Sequence, residues 1–254
     1  MIIAVDIGNS SINIGYFTGS RLLVQRIPTQ PLLSVSTYLT GINGFIKENN
    51  IEKIPEGIII SSVVPDHTDI IREVLAGIAS REPLMVHHTM ETGIYLAIPR
   101  PEELGSDRIA NSVAAYELYR SPVVSVDCGT ATTISVVGNG AEYIGGAIMP
   151  GIRLMNESLA KGASQLTEVP VLPPESVLGK NTAQCIQSGI LYGTAGAIER
   201  ILEEIEHETD LPLKTIVTGG YGNYISGYVR RKHTVMPHLT LEGLRIIYLR
   251  NQNA

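Results

Sequence analysis

The heptapeptide Val5-Asp6-Ile7-Gly8-Asn9-Ser10-Ser11 is echoed later in the chain by Val126-Asp127-Cys128-Gly129-Thr130-Ala131-Thr132. Each copy follows a short apolar run, Ile2 to Val5 or Val123 to Val126, which is typical of a buried β-strand. Each copy also precedes another stretch of strand character, so both halves predict a hairpin with an aspartate near its turn. Self-similarity of this kind indicates a duplicated structural unit.

Strands and helices alternate along the rest of the chain. We predict strands at Ser10 to Phe17, Gly57 to Val64 and Thr215 to Val217, and helices at Leu32 to Glu48, Asp66 to Ala79, Arg108 to Tyr119 and Thr182 to Glu208. Asp66 is predicted to cap its helix, while Gly145-Gly146 and Pro150-Gly151 are predicted to interrupt the chain before another helix. This alternation predicts an α/β fold. The duplication predicts that it is divided into two lobes, residues 1–120 and 121–254.

The composition favours a small-molecule partner. The chain has 254 residues, of which 44% are hydrophobic and 17% charged, and its formal net charge is −6. Lysine and arginine form no long run or stripe, which disfavours binding to nucleic acid or to an anionic membrane. The chain runs from Met1 directly into Asp6, and no apolar stretch approaches the roughly 20 residues of a membrane span, so we expect a cytoplasmic protein.

The cysteines and histidines predict no metal centre. Cys128 and Cys185 lie in apolar stretches, and we expect both to have packing roles in a reducing compartment. His87 and His88 are adjacent and would point to opposite faces of a strand, and no third ligand has suitable spacing. We therefore expect the six histidines to be surface or packing residues.

The two hairpins have the chemistry of a phosphate site. Gly8 and Gly129 permit tight turns, so that amides and small hydroxyl side chains can surround phosphate oxygens while the neighbouring aspartate holds a cation. One such turn is ordinary surface chemistry, but two copies, each after a buried strand, favour a shared polyphosphate site. A P-loop is disfavoured because Gly179-Lys180 is followed by Asn181 rather than Ser or Thr.

A second candidate site is Gly105-Ser106-Asp107-Arg108, at the start of a predicted helix. Free amides at a helix start attract anions, and the guanidinium of Arg108 suits a carboxylate, so an acidic small substrate fits here. The same residues also fit an ordinary capped first turn with an exposed ion pair. Spacing alone leaves both interpretations open.

Taken together, these motifs resemble the type III pantothenate kinases, an actin-like family that phosphorylates pantothenate at the entry to coenzyme A synthesis. The resemblance runs essentially from end to end. Its motifs are Asp6 to Asn9, Ser62 to Pro65, Gly105 to Asn111, Asp127 to Thr133, Gly145 to Gly151, Leu178 to Thr182, Gln187 to Gly189, Thr218 to Gly220 and Leu239 to Leu244.

The resemblance implies two duplicated actin-like, ribonuclease H-like lobes with an ATP cleft between them. It also implies Mg²⁺ bound with ATP, potassium or ammonium as a monovalent cation, and a homodimer. It assigns catalysis to Asp107; ATP binding to Asp6, Ile7, Gly8, Asn9, Ser10, Ser11, Ile12, Asn13 and Thr130; pantothenate binding to Gly105, Ser106, Asp107, Arg108 and Thr182; and the monovalent cation to Asp127.

The acceptor side departs from the family pattern. The family has Tyr-Asp-Asn-Pro where this chain has Ile98-Pro99-Arg100-Pro101, which removes a phenol, and Tyr95 lies three residues earlier. Two other functions therefore stay open: a kinase of another small hydroxy acid, and a nucleotide-binding regulatory accessory protein with little kinase activity.

Overall fold

The computed structural model describes residues 1–51 and 54–252, which form two compact units. The first unit consists of Met1–Ala114 together with the C-terminal residues from Thr240, and the second is Ala115–Leu239. This division differs from the expected lobes at the C-terminus, because the last helix groups with the first unit. Among the described residues, no helix combines the length and apolar character needed to span a bilayer.

The elements follow the predicted alternation of strands and helices. The strands are β1 (Ile2–Ile7), β2 (Ser11–Thr18), β3 (Arg21–Pro28), β4 (Gly57–Ser62), β5 (Leu84–Met85), β6 (Tyr95–Leu96), β7 (Val123–Cys128), β8 (Ala131–Val137), β9 (Glu142–Pro150), β10 (Lys214–Thr218) and β11 (Thr234–Val235). The helices are α1 (Val35–Glu48), α2 (Pro65–Ala79), α3 (Ser106–Tyr119), α4 (Ile152–Gly162), α5 (Thr182–Thr209), α6 (Gly222–Ser226) and α7 (Leu239–Arg250), with a 3₁₀ turn at Pro101–Glu103.

The two units repeat one sheet topology. The first sheet has the strand order β3-β2-β1-β4-β5. The second, six-stranded sheet has the order β11-β10-β7-β8-β9-β6, which contains the corresponding series β9-β8-β7-β10-β11. In each unit the first three strands pair antiparallel, and the last two run parallel to the first strand. Equal order and equal strand direction confirm the duplication indicated by the sequence.

Each sheet buries one face under helices. In the first unit Ile3, Val5 and Ile7 pack with residues of α1 and α2, and in the second Val126 and Cys128 pack with residues of α5. A fully buried Ile or Val side chain contributes about 1.5–3 kcal/mol to such a core. Because side chains alternate along a strand, Asp6 and Asp127 lie on the opposite face of their sheets from these apolar neighbours.

Helix α7 belongs to the first unit through side-chain contacts. The hydroxyl of Tyr248 donates a 3.0 Å hydrogen bond to the Glu56 carbonyl, and Thr240 donates one of 2.9 Å to Asn111. Arg245 lies over the ring of Phe17, with its guanidinium carbon 5.2 Å from the ring centroid. These contacts span much of α7, which explains why residues far apart in sequence form one unit.

Three local predictions were wrong. Asp66 is not the cap of α2: Pro65 occupies its first turn, Val64 is the N-cap residue and makes no side-chain cap bond, and Asp66 lies in the first turn. Gly145-Gly146 lies within β9, where Gly145 has φ +134° and the register with β8 shifts. Cys185 is exposed, whereas Cys128 is buried as expected.

Candidate active site

The first hairpin presents a short exposed turn after Asp6. Strand pairing places Asp6 opposite Asn13 and Ile7 opposite Ile12, which leaves residues 8–11 as the connection. The amide of Gly8 donates to the Ser11 carbonyl at 3.0 Å, and this bond closes the turn. Asp6 and Asn13 are partly buried, whereas residues 9 and 10 are exposed. The predicted ATP-binding residues 6–13 therefore form one continuous hairpin.

Two buried residues outside the predicted site support this turn, one directly and one through the other. Thr29 donates from its hydroxyl to the Gly8 carbonyl at 2.6 Å and from its amide to the Ser10 carbonyl at 3.3 Å. The Nε2 atom of His67 lies 2.6 Å from the Thr29 carbonyl. Thr29 and His67 are only 1% and 2% exposed, so they support the turn from inside the protein. No motif spacing in the sequence points to either residue.

The second hairpin is one residue shorter than the first. Asp127 pairs with Thr133 and Cys128 with Thr132, which leaves three connecting residues instead of four. Thr132 is therefore equivalent to Ile12, whereas the sequence comparison aligned it with Ser11. The Thr130 carbonyl accepts a 3.1 Å bond from the Gly151 amide, which joins the turn to the start of α4.

The carboxylate of Asp127 lies against the backbone after β10. The register of the parallel pair places Thr218 opposite Asp127, and Gly219 follows with φ +88°. A Cβ atom at Gly219 would lie 2.3 Å from Oδ1 of Asp127 and 2.6 Å from the Cys128 amide nitrogen. Glycine is required here both by the backbone angle and by the position of the carboxylate.

The start of α3 is bound to the strand beside Asp6. The hydroxyls of Ser61 and Ser106 lie 2.9 Å apart, and the Ser62 amide donates to the Ser106 hydroxyl at 3.2 Å. Ser61 is in turn the register partner of Asp6 in the parallel pair of β4 and β1. The structure thus brings the first hairpin and the Gly105 to Arg108 segment together within the first unit.

Asp107 is partly buried at this helix start. Its Oδ1 atom would lie 2.5 Å from a Cβ atom at Gly105, so the glycine makes room for the carboxyl group. Burial raises the pKa of Asp107, while a hydrogen bond from the Arg108 amide and the charge of Arg108 act in the opposite direction. Asp107 and Arg108 are both partly buried, which differs from an exposed surface ion pair. A desolvated carboxylate is suited to accept a proton.

The other predicted acceptor residues lie on separate elements. Thr182 is the first residue of α5 in the second unit and is exposed, next to Asn181, whose side chain accepts from the Gln184 amide at 2.9 Å. Ile98 is partly buried, and Tyr95 in β6 is 71% exposed. The structure therefore groups Asp6 to Asn13 with Gly105 to Arg108, and Asp127 with Thr130 in the second unit.

Comparison with known proteins identifies the family. The family model for type III pantothenate kinase matches residues 2–204. A type III pantothenate kinase from Moorella thermoacetica is 36% identical over 253 residues, covering 99% of this chain and 100% of the relative.

Two solved structures share the fold. One is a protein assigned to the Baf family of transcriptional activators from Campylobacter jejuni, with TM-score 0.61, 20% identity, and coverage of 99% of this chain and 100% of that one. The other is a ROK hexokinase from Thermus thermophilus, with TM-score 0.51, 14% identity and coverage of 98% of both chains. Together with the repeated sheet topology, these likenesses show duplicated lobes of the actin-like kind. The chain belongs to the type III pantothenate kinase family.

Proposed function

We propose that this chain transfers the γ-phosphoryl group of ATP to the primary hydroxyl of pantothenate, forming 4'-phosphopantothenate in the first step of coenzyme A biosynthesis. One structural observation supports the chemistry most directly. The Ser61–Ser106 hydrogen bond holds the start of α3, with its partly buried Asp107, beside the strand that carries Asp6. A phosphate-binding turn and a proton acceptor are thereby combined in one unit.

In this proposal the ATP-binding residues are those of the first hairpin, together with Thr130. Residues 6–13 supply backbone amides and the Ser10, Ser11 and Asn13 side chains, and Thr130 supplies a hydroxyl from the second turn. Amides at tight turns hold phosphate oxygens without a large charge of their own. Because such donors are fixed before ATP arrives, they lose little entropy on binding.

Asp107 orients the acceptor hydroxyl and takes its proton. Phosphoryl transfer passes through a loose transition state, so a base chiefly positions the nucleophile and accepts the proton late. The raised pKa of Asp107 improves the carboxylate as a proton acceptor. Arg108 pairs with the pantothenate carboxylate, and Gly105, Ser106 and Thr182 complete the proposed acceptor site.

The proposal includes two cations. No group of three or more His, Cys, Asp or Glu suited to a metal occurs among residues 1–51 and 54–252. We propose that Mg²⁺ is carried by the phosphates of ATP and that the Asp127 carboxylate holds a potassium or ammonium ion. When bound, the cations neutralise charge on the transferring phosphoryl group. The carboxylate of Asp127 is fixed for this task by the bare backbone of Gly219.

We further propose that the chain acts in the cytoplasm as a homodimer, as its family resemblance implies. Light scattering on the purified chain measures the assembly. A mass of twice the 27.4 kDa of one chain is expected, and a monomer at assay concentration contradicts it.

A coupled ADP assay tests the proposed reaction. ADP should form from MgATP only when pantothenate is added, and faster with potassium than with sodium. A panel of other small hydroxy acids at the same concentration should give much slower turnover. Equal or faster turnover with another acid contradicts the acceptor assignment, and tight nucleotide binding with no turnover on any acid contradicts the kinase assignment.

A further inference from the structure

Thr29 contacts the phosphate turn at two carbonyl groups. Its hydroxyl donates to the Gly8 carbonyl at 2.6 Å, and its amide donates to the Ser10 carbonyl at 3.3 Å. Both carbonyl oxygens therefore point toward Thr29, which is 1% exposed. One buried residue thus fixes two alternate peptide groups of a turn whose residues 9 and 10 are exposed.

The directions of the carbonyls determine the directions of the amides. A peptide group is planar and trans, so the N–H of each residue points opposite to the carbonyl of the preceding residue. The Asn9 N–H belongs to the same peptide group as the Gly8 carbonyl, and the Ser11 N–H to that of Ser10. Both N–H groups therefore point away from Thr29. Amides directed the same way from one short turn form an anion-binding concavity.

His67 contacts the carbonyl group of Thr29. Its Nε2 atom lies 2.6 Å from the Thr29 carbonyl, and because a carbonyl only accepts, Nε2 carries the proton. His67 lies in α2, is 2% exposed, and its Nδ1 atom is buried with no hydrogen-bond partner among the described residues. A buried nitrogen without a partner carries a desolvation cost. Its one strong bond is to Thr29.

We propose that Thr29 and His67 are positioning residues that aim the Asn9 and Ser11 amides at the phosphates of ATP. Through this pair, α2 supports the residue after β3, which in turn supports the first turn. In this proposal neither residue contacts a substrate. The inference rests on the proposed ATP role of residues 6–13, but not on the identity of the acceptor.

Variants of Thr29 test the proposal on the intact chain. Thr29→Val keeps the shape and the amide but removes the hydroxyl donor, so the Kd for ATP should rise roughly tenfold, the equivalent of one hydrogen bond. The kcat and the KM for pantothenate should change much less. Thr29→Ser, which keeps the hydroxyl, should restore ATP affinity. The matched control is Thr215→Val: Thr215 is 3% exposed and accepts from Arg231 at 2.9 Å, so its loss should affect stability but not ATP affinity.

Variants of His67 test the second half of the pair. His67→Gln keeps an N–H donor near the position of Nε2 and should bind ATP within about threefold of the native chain, whereas His67→Leu should weaken binding roughly tenfold. Circular dichroism and thermal unfolding establish that each variant is folded. If folded Thr29→Val and His67→Leu chains bind ATP like the native chain, the proposal is overturned.

A measurement on the native chain covers the case in which variants do not fold. In amide-detected NMR of ¹⁵N-labelled protein, ATP should shift the Asn9 and Ser11 resonances more than those of the Thr215 region. Unmoved Asn9 and Ser11 amides in an ATP-saturated sample overturn the proposal, even if the chain phosphorylates pantothenate. Shifted amides in a chain that fails to phosphorylate pantothenate support ATP binding at this turn, on which the positioning pair depends, and contradict the proposed acceptor. A chain that binds no ATP contradicts both.

Discussion

The hydroxyls of Ser61 and Ser106 lie 2.9 Å apart, although 45 residues separate them in the sequence. Ser61 is at the end of β4 opposite Asp6, and Ser106 is the first residue of α3. This contact holds the proposed phosphate-binding hairpin near the proposed proton acceptor, Asp107. The first prediction follows from it.

Ser61→Ala should lower kcat by about 10- to 100-fold, because a small displacement of a positioned catalytic group has effects of that size. The KM for ATP should change little, since the hairpin keeps its own bonds. Steady-state kinetics with both substrates varied measure this split. Ser112→Ala is the matched control: its buried hydroxyl in α3 has no partner among the described residues, so its loss should leave kcat unchanged. An equal effect of the two substitutions contradicts the positioning role of Ser61.

Asp107→Asn should reduce kcat by about 100-fold or more, because the amide cannot accept the proton. The Kd for ATP should stay close to that of the native chain. Asp66→Asn, which changes an exposed aspartate in the first turn of α2, is the control and should retain turnover. Near-native kcat in Asp107→Asn would remove this residue from the mechanism.

Asp107→Asn should also raise the thermal stability of the chain at neutral pH. Burial raises the pKa of Asp107 in the folded chain, so the folded state favours the protonated carboxyl. The stability that this group contributes is fully present below its unfolded pKa and is lost as pH rises through the folded pKa. Removing the charge should therefore increase Tm by about 2–4 °C for each kcal/mol of relieved desolvation in a chain of this size. Calorimetry at pH 4 and pH 7.5 should show the larger difference at pH 7.5; a lower Tm in the variant at pH 7.5 contradicts it.

Gly219→Ala should abolish potassium stimulation and destabilise the second unit by about 1–3 kcal/mol, because the backbone angle is unfavourable for alanine and its Cβ atom would collide with Asp127. Gly44→Ala is the control. Gly44 lies inside α1 with open space around it, so alanine there should stabilise by about 0.5–1 kcal/mol. Activity assays in potassium and in sodium, with urea unfolding, measure both effects. Normal potassium stimulation in Gly219→Ala would contradict the proposed cation site.

Arg231→Lys should lower the stability of the chain at pH 7 by about 1 kcal/mol, because lysine cannot reproduce the forked contact with Glu206. Arg231 bonds Oε2 of Glu206 at 2.7 Å, also contacts Oε1, and donates to the Leu213 carbonyl at 3.0 Å. The control is Glu203→Gln, which breaks the ion pair of Glu203 with Arg200. These side chains are 71% and 68% exposed, so the substitution should have little effect on stability.

The effect of Arg231→Lys should depend on pH. The hydrogen bond from Arg231 lowers the pKa of Glu206 in the folded chain. The resulting stability is present above the unfolded pKa and is lost as pH falls through the lowered folded pKa. The difference between native and variant chains in urea unfolding should therefore shrink below pH 4 or so, a region set by the ordinary carboxyl range. A difference that grows on acidification contradicts the role of this pair.

Much of the fold follows from sequence patterns that act over short distances. The apolar runs before Asp6 and Asp127 predicted β1 and β7, and helical spacing predicted α1 and α5 to within a few residues. The duplication could be predicted because both copies have Asp and Gly at the same spacing. The shorter length of the second turn could not be predicted, because strand register depends on pairing rather than on sequence similarity.

The predicted site was incomplete for a related reason. Thr29 contacts the first turn across 21 residues of sequence, His67 contacts Thr29 across 38, and neither residue belongs to a motif. Aspartate is a common helix cap, which is why Asp66 was predicted to cap α2. The fixed φ of Pro65 suits the first turn of a helix, so α2 starts at Pro65, one residue before Asp66. Roles that arise from such tertiary contacts require coordinates.

Phosphoryl transfer to pantothenate is the central claim, and ³¹P NMR of one reaction mixture tests it most directly. The native chain with MgATP, potassium and pantothenate should produce a phosphomonoester resonance that grows in equal amount with ADP, and Asp107→Asn should produce neither at a comparable rate. ADP that accumulates with inorganic phosphate and no phosphomonoester, or a native chain that leaves ATP unchanged, would contradict the account.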